Sequence, residues 1–418
     1  MFVVLQRMLA RLVEHGGLEV VGPDGSVHRF GDGSGAPVRV RITSQAAAAK
    51  IVIHPDLNLG ECYMNGGLVI ERGSIYDLIH LLLDNLKHRS PPAALRVVHT
   101  LRRLTRRLHQ YNPVPRARRN VAHHYDLSRE LYELFLDRDR QYSCAYFERP
   151  EASLEEAQLA KKRHLAAKLM IEPGMRVLDI GSGWGGLGLY LAEVCQAEVV
   201  GVTLSTEQHG FSNERARQTG AQGQVEFRLM DYRELGGRFD RIVSVGMFEH
   251  VGIGHYPAFF AKVKSLLSEN GVALLHSISR SEGPSATSSW IAKYIFPGGY
   301  VPALSEVVPV IERSGLYITD VEILRLHYAE TLKEWRRRFT AQRDRVTALY
   351  DERFFRMWEY YLASSEAAFR LMGMNNFQIQ MCHHQQVLPI TRTYIGEEEA
   401  RLRAIDSPRP HIKSVPAE

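Results

Sequence analysis

From about residue 152 onward, the chain alternates between short apolar runs and longer helical stretches. The short runs read as buried strands, and stretches such as 185–196 and 256–268 read as the helices between them. This alternation predicts βαβ crossovers and a mainly parallel sheet. Ligands of such sheets gather beyond the carboxyl ends of the strands, so we expect the functional site at that edge. The predicted strands are RVLDI (176–180), EVVGVT (198–203), VEFRLM (225–230), RIVSV (241–245) and VALLHSI (272–278).

The string VLDIGSGWGG (177–186) joins a predicted strand, a glycine cluster and a predicted helix. Glycines allow a backbone to approach a ligand closely. Because the string fits GxGxxG, a dinucleotide, S-adenosylmethionine and a tight turn without a ligand all remain open. Asp179, two residues before the first glycine, favours S-adenosylmethionine. The second strand also ends without the acid that a NAD site normally has, but many methyltransferases have that acid too, so this is partial support.

The length of 418 residues exceeds what one hydrophobic core usually serves, which predicts roughly two to three domains. The amino-terminal part mixes helical patterns with strand-like runs, and a segment rich in proline and arginine follows it. We therefore predict a small α+β domain at 1–83, a basic linker at 84–118 and a catalytic domain at 119–418. The helical patterns of the first domain are 1–14 and 74–83, and its strand-like runs are VRVRI (38–42) and KIVIHP (50–55).

Residues 95–120 contain eight arginines and no acid. Apolar residues recur there at helical spacing, so the first part is predicted to be a basic amphipathic helix. Such a helix binds nucleic acid, lies on an anionic membrane surface or docks on its own protein, and the pattern alone leaves these three open. The apolar positions are Val98, Leu101, Leu104 and Leu108.

The sequence contains no stretch of about 18 apolar residues, so we expect no transmembrane helix. Arg7 and Arg11 interrupt the apolar start, which argues against a signal peptide. The four cysteines are scattered without CxxC spacing, which favours free thiols in a reducing, cytoplasmic setting, and we expect no metal.

Several strings together resemble one family, the cyclopropane-fatty-acyl-phospholipid synthases, which are related to the mycolic acid cyclopropane synthases. They occur in order over roughly residues 120–380, and LGECYMNGG (59–67) also resembles the amino-terminal domain of the bacterial phospholipid-acting branch. Ser182 departs from the cysteine of many members, which matters little because the loop acts through its backbone. The matching strings are HYDLSRELYELFLD (124–137), QYSCAYFERP (141–150), PGMRVLDIGSGWGG (173–186), VVGVTLSTEQ (199–208), FDRIVSVGMFEHVG (239–252), LLHSI (274–278), IFPGGYVP (295–302) and HYAETLKEW (327–335).

The resemblance implies a class I S-adenosylmethionine-dependent methyltransferase with a Rossmann-like, mainly parallel seven-stranded sheet. The family reaction adds the methyl carbon of S-adenosylmethionine across a cis double bond of a phospholipid acyl chain. One proton must then leave the new methyl group before the ring closes, so a general base is required. A sibling lipid C-methyltransferase, giving methyl-branched or methylene chains, uses the same carbocation and remains the alternative.

The resemblance also implies that the base is a bound bicarbonate. Tyrosine and histidine would donate hydrogen bonds to this anion, and a glutamate would accept from its hydroxyl. Without the resemblance, a cysteine or histidine in such apolar surroundings would be an ordinary core residue. The residues that match the bicarbonate site are Cys144, Glu249, His276, the backbone at Ile278 and Tyr328.

For the cofactor, the matching positions fall into four groups. Asp179, Gly181 and Gly183 match the methionine end. Thr203, Leu204 and Gln208 match the ribose and adenine side, and Asp231 and Tyr232 match the adenine. Tyr142 and Ser143 match residues that close over the methionine portion, and aromatics of WIAKYIFPGGY (290–300) are candidates for an acyl slot.

The adjacent pair Glu249 and His250 looks like a dyad in sequence. Chain geometry indicates that neighbouring side chains point apart, so we expect His276 to work with Glu249 and His250 to support the loop only. With a phospholipid substrate, we expect the basic linker to face a membrane surface. We also expect a homodimer and no nucleic acid, against two alternatives, an RNA or metabolite methyltransferase and a lipid-binding protein with a relic cofactor site.

Overall fold

The structure is a computed structural model that describes residues 1–87 and 127–406. The predicted basic helix within 95–120 lies outside the described residues. The structure confirms the predicted fold class, with a mainly parallel seven-stranded sheet and a smaller α+β unit before it. The division of the chain at residues 83 and 118 stays a prediction.

Among the described residues before 88, four strands form a mixed sheet in the order β2-β1-β3-β4. β1 pairs with β3 in parallel, and the other two pairings are antiparallel. The strands are β1 (Leu18–Val21), β2 (Val27–Phe30), β3 (Val38–Ile42) and β4 (Leu68–Arg72), and the helices are α1 (Phe2–Leu12), α2 (Gln45–Ile53), α3 (Pro55–Met64) and α4 (Ile75–Lys87).

The strand predicted at 50–55 is wrong, because these residues lie in α2 and at the start of α3. The β-branched run Ile51, Val52 and Ile53 suggested a strand. Four alanines precede it and favour a helix. The Ser44 hydroxyl also caps α2 by accepting a hydrogen bond from the Ala47 amide, 3.1 Å away.

In the part of the chain after residue 126 that the structure describes, seven strands form one sheet in the order β10-β11-β9-β8-β5-β6-β7. Within it, β11 alone runs against the other six. The strands are β5 (Arg176–Ile180), β6 (Glu198–Thr203), β7 (Val225–Leu229), β8 (Phe239–Val245), β9 (Leu267–Arg280), β10 (Tyr317–Leu324) and β11 (Met374–Cys382).

Helices cover both faces of this sheet, as crossover connections between parallel strands require. None of the helices within the described ranges is long and apolar enough to cross a membrane. The helices are α5 (Arg129–Glu133), α6 (Leu154–Leu169), α7 (Gly186–Cys195), α8 (Thr206–Gln218), α9 (Tyr256–Leu266), α10 (Ser289–Tyr294), α11 (Leu304–Ser314), α12 (His327–Ala341), α13 (Arg343–Leu349), α14 (Glu352–Leu371) and α15 (Thr393–Asp406).

Helix α3 of the amino-terminal part packs on α10 and α14. The Tyr63 hydroxyl donates to Glu359 at 2.5 Å, and Asp56 accepts from the amide of Ser289 at the start of α10 at 2.8 Å. The indole of Trp290 lies so close to Gly60 that a methyl group on this glycine would meet it at 2.4 Å. The amino-terminal part therefore fixes the segment that follows β9.

A capping box starts α6, the helix that lies behind the functional site. The Ser153 hydroxyl accepts from the Glu156 amide at 3.3 Å, and the Glu156 carboxylate accepts from the Ser153 amide at 2.8 Å. Together they satisfy two backbone donors at the helix start.

We expect Ser153→Ala to lower the free energy of unfolding by about 1 kcal/mol, because it removes the hydroxyl of this capping box. Urea denaturation followed by circular dichroism measures the change. Ser265→Ala is the control, because among the described residues that hydroxyl bonds only the carbonyl of Lys262, one turn back. Equal midpoints for the two variants would contradict the capping role.

Candidate active site

One cavity opens at the carboxyl ends of β5, β6, β7 and β8, the edge at which the sequence predicts the site. All ten residues predicted to bind the cofactor line this cavity. Their binding of a cofactor stays a prediction, but the fold brings them together from four separate stretches of the chain. They are Tyr142, Ser143, Asp179, Gly181, Gly183, Thr203, Leu204, Gln208, Asp231 and Tyr232.

The loop after β5 has a backbone that requires glycine. Gly181 has φ +89° and Gly183 has φ +53°, both in the region that favours glycine. A methyl group on Gly181 would meet the Met247 side chain at 2.9 Å, whereas no atom of the described residues lies within 4 Å of one on Gly183. The Gly181 amide donates to the Val202 carbonyl at 2.9 Å, which ties the loop to β6.

Asp179 is buried in the wall of this cavity, with 1% of its surface exposed. Its Oδ2 has no hydrogen-bond partner among the described residues. Burial raises the pKa of this carboxyl to about 7. A buried carboxylate oxygen without a partner is costly, and a ligand with an ammonium group would relieve that cost.

Tyr142 and Ser143 form part of a segment that covers one side of the cavity. The Tyr142 hydroxyl lies 2.8 Å from that of Tyr361, and its ring stacks on Trp335 with centroids 5.1 Å apart. Behind the segment, Lys161 of α6 donates to the Ser143 hydroxyl at 2.8 Å. The segment is therefore held by packing on one side and by a buried cation on the other.

The opposite side of the cavity is held by its own hydrogen bonds. The Thr203 hydroxyl donates to Gln208 at 2.9 Å, which links the end of β6 to α8. Asp231 accepts two hydrogen bonds from the guanidinium of Arg233, at 2.7 and 2.8 Å. Tyr232 packs edge-on against Phe259, with ring centroids 5.5 Å apart. These bonds set the shape of the cavity wall without a ligand.

The five residues predicted to hold bicarbonate do not line this cavity in the part of the chain that the structure describes. Glu249 lies in a short turn after β8, and its Oε1 accepts a hydrogen bond from the Ile278 amide at 2.6 Å. Its Oε2 is buried and, within the described ranges, has no hydrogen-bond partner. Burial raises the pKa of Glu249 to about 7. A hydrogen bond therefore joins Glu249 to Ile278, two of the five residues predicted to hold bicarbonate. Oε2 of Glu249 can still accept a hydrogen bond from a ligand.

His276 lies on β9 beside Val245, which lines the cavity. Its ring nitrogens lie 3.2 Å from the Gln378 amide nitrogen and 3.3 Å from that of Asn376. Burial lowers the pKa of His276 to about 3, so the ring is neutral. Among the described residues, no hydrogen bond joins it to Glu249, so the expected partnership between the two stays a prediction.

Cys144 and Tyr328 belong to the same buried core cluster. The amide of Ala145, next to Cys144, donates to the Thr331 hydroxyl at 3.1 Å, and Thr331 lies one turn after Tyr328 on α12. Burial raises the pKa of the Cys144 thiol above its ordinary range. A neutral thiol is a poor nucleophile, which agrees with a role in binding rather than in covalent chemistry.

The sequence analysis expected His250 only to support the loop, whereas the structure places it in the cavity wall. The residue lines the cavity, and its ring packs edge-on against Phe296 with centroids 5.8 Å apart. Burial lowers the pKa of His250 to about 4. The sequence feature that could have indicated this position is that His250 directly follows Glu249.

Two aromatics of the predicted acyl segment have different surroundings. Trp290 packs on α3 and on Tyr360, so it is a core residue between the two parts of the chain. Phe296 lies between His250 and Tyr361, with the Tyr361 centroid 5.9 Å away. Phe296 is therefore the member of 290–300 with a ring contact to a residue of the cavity wall.

Sequence comparison assigns most of the chain to one family. A family model described as mycolic acid cyclopropane synthetase matches residues 114–379. The chain belongs to this family. A second model, described as a domain of unknown function (DUF7884), matches residues 4–89.

Two relatives are similar over more of the chain than the first family model covers. The chain is 38% identical over 344 residues to the cyclopropane-fatty-acyl-phospholipid synthase of Escherichia coli K12, with 82% of this chain and 87% of the relative covered. It is 36% identical over 392 residues to the tuberculostearic acid methyltransferase UfaA1 of Mycobacterium tuberculosis, with 90% of each covered.

A solved structure with the same fold is that of the mycolic acid cyclopropane synthase CmaA1, complexed with SAH and CTAB. The TM-score is 0.61 at 34% identity, over 65% of this chain and 99% of that one. Family and fold together make this protein an S-adenosylmethionine-dependent methyltransferase.

Cofactor binding is expected to depend on pH through Asp179. Its carboxyl is neutral below about pH 7 and must ionise to pair with an ammonium group, so affinity for S-adenosylhomocysteine should rise as pH increases through about 7. Asp179→Asn should weaken binding about tenfold or more and remove this pH dependence. Isothermal titration at several pH values measures both effects.

Glu249→Gln is the matched control, because this carboxyl has a similarly raised pKa and does not line the cavity. This variant should keep the pH dependence of cofactor binding. Loss of the dependence in Glu249→Gln, or its survival in Asp179→Asn, would contradict the assignment.

Proposed function

We propose that the protein converts unsaturated phospholipid acyl chains to cyclopropane chains, with S-adenosylmethionine as methyl donor and a bound bicarbonate as base. The proton step is supported by Oε2 of Glu249, which is buried and has no hydrogen-bond partner among the residues described. A pocket that removes a proton next to an apolar chain needs such an acceptor shielded from water. Membership of the cyclopropane synthetase family supports the reaction.

The cavity residues support binding of S-adenosylmethionine, which supplies the methyl carbon. Asp179 would take the ammonium group of the methionine part on its free Oδ2. The open space at Gly183 would admit the ligand close to the backbone, and Thr203 and Gln208 would border its ribose side. An alkene is a weak nucleophile, so these residues act mainly by alignment and by exclusion of water.

Bicarbonate would be held beside Glu249 through an exchange of hydrogen bonds. Oε2 of Glu249 would accept the bicarbonate hydroxyl, and Tyr328 and His276 would donate to the other oxygens. Because both ring nitrogens of His276 face amides of β11, one amide contact must give way for the histidine to donate. Cys144 and the Ile278 backbone would complete the pocket.

Membrane-surface binding, with a homodimer as the working form, is the second part of the proposal. The eight arginines of 95–120 would face anionic headgroups. The apolar residues of the same segment would pack on protein or lipid. The amino-terminal residues 1–83 would help to present the lipid, and the setting would be the cytoplasmic side of the membrane.

The second candidate is a lipid C-methyltransferase that leaves a methyl-branched or methylene chain. It is favoured by UfaA1, which is named a methyltransferase and aligns with 90% of this chain. The two reactions differ in which proton leaves after methyl transfer. The product therefore distinguishes them, and the cofactor site does not.

The test is a turnover assay with purified protein, methyl-labelled S-adenosylmethionine and vesicles of unsaturated phospholipid. The expected product is a cyclopropane acyl chain, identified by mass spectrometry and NMR. Label in a methyl branch would instead establish the second candidate. Label in RNA, with none in lipid, would overturn both.

Glu249→Gln should reduce turnover by about 10²-fold to 10⁴-fold, because the amide cannot replace the carboxylate in the proton step. Its affinity for S-adenosylhomocysteine should stay near that of the unchanged protein. Glu269→Gln is the matched control, since this glutamate on β9 has a side chain that is 85% exposed. An equal loss of cofactor affinity and turnover in Glu249→Gln would refute its assigned role.

A further inference from the structure

Lys161 is a fully buried lysine behind the cofactor cavity. It lies on α6 with 0% of its surface exposed. Its Nζ donates to Oε1 of Gln141 at 2.6 Å and to the hydroxyl of Ser143 at 2.8 Å, and both acceptors belong to residues of the cavity wall. In the described ranges, no carboxylate lies within salt-bridge distance of this ammonium.

The two other buried lysines of α6 have carboxylate partners. Lys162 pairs with Asp139 at 2.6 Å, and Lys168 pairs with Glu322 at 2.5 Å. Burying a charge is costly unless a partner compensates it. Burial lowers the pKa of Lys161 to about 8, while the more distant charges of Asp137 and Asp139 act to raise it. Lys161 is thus a buried cation whose direct partners are neutral.

The positive charge of Lys161 affects residues of the cofactor cavity and residues proposed to hold bicarbonate. Burial raises the pKa of Asp179 and of Cys144 and lowers that of His276, and the charge of Lys161 acts to lower all three. The charge therefore acts on a residue of the cofactor cavity and on two of the residues proposed to hold bicarbonate.

The hydrogen bond from Lys161 also orients the hydroxyl of Ser143. A serine oxygen that accepts from an ammonium has its own hydrogen directed elsewhere. Because Ser143 lines the cavity, that hydrogen is available to a ligand acceptor there. Lys161 and Ser143 together form a charge-assisted donor for an oxyanion.

We propose that Lys161 is a positioning residue that holds a carboxylate-type anion in the site, acting through Ser143. Two anions share this chemistry, the carboxylate of the methionine part of the cofactor and bicarbonate. The inference rests on the proposed function for the second anion only. For the first it needs only a methyltransferase that binds S-adenosylmethionine.

A neighbour on α6 provides a matched control. Nε2 of Gln158 donates to the carbonyls of Ser143 at 3.0 Å and Gln141 at 3.3 Å, so it holds the same segment without a charge. Gln158→Met should disturb the position of the segment and leave the cation in place. Lys161→Met should remove the cation with little change in side-chain length.

The first measurement is isothermal titration with S-adenosylhomocysteine and with its decarboxylated analogue. Lys161→Met should weaken binding of S-adenosylhomocysteine by about tenfold and leave the analogue nearly unaffected, as expected for loss of a charge-assisted hydrogen bond. Gln158→Met should affect the two ligands equally. The second measurement is the bicarbonate concentration for half-maximal turnover, which Lys161→Met should raise about tenfold if bicarbonate is the anion.

Weaker binding of S-adenosylhomocysteine alone supports the inference and identifies the cofactor carboxylate as the anion. A raised bicarbonate requirement supports it and identifies bicarbonate. Equal weakening of both ligands by Lys161→Met, with unchanged bicarbonate dependence, would reduce Lys161 to a structural anchor and overturn it. No effect on any of these quantities would overturn it as well. If the unchanged protein needs no bicarbonate, the proposed base fails, and the titration with the two cofactor analogues still decides the role of Lys161.

Discussion

The register of three neighbouring parallel strands is the constraint on which the site depends. β5 pairs with β8 so that Ile180 lies beside Ser244, and β8 pairs with β9 so that Val245 lies beside His276. Parallel strands in register end at one edge, so the loops that follow them converge there. A shift of one residue would turn each side chain to the other face of the sheet. The cofactor loop, Glu249 and His276 are brought together by this pairing.

Burial then sets the protonation states at that edge. Asp179 and Glu249 each have one carboxylate oxygen without a partner among the described residues, and burial raises the pKa of both to about 7. His250 and His276 are neutral because burial lowers their pKa. Lys161 supplies a buried positive charge behind them. Such clustering of shifted titratable groups is typical of active sites.

The sequence predicted the parallel strands well because their apolar runs are short and bounded by turns. β5 and β6 have the predicted limits, whereas β9 is longer than predicted. The predicted strands do not include β10 or the antiparallel β11. The ten residues predicted to bind the cofactor came from the family resemblance, which rests on local motifs that a sequence shows directly. No local motif indicated that Lys161 is buried, because a lysine in the charged string LAKKRH (159–164) is normally predicted to be exposed. Its burial depends on packing between distant segments, as does the partnering of His276 with β11.

We propose that a cofactor cavity and an anion site at Glu249 meet at this edge of the sheet. A crystal structure of the protein with S-adenosylhomocysteine, grown in bicarbonate, tests it most directly. We expect the amino group of the ligand on Oδ2 of Asp179 and a planar anion within hydrogen-bonding distance of Oε2 of Glu249. A ligand bound away from Asp179, or a Glu249 whose second oxygen stays without a partner in that crystal, would contradict it.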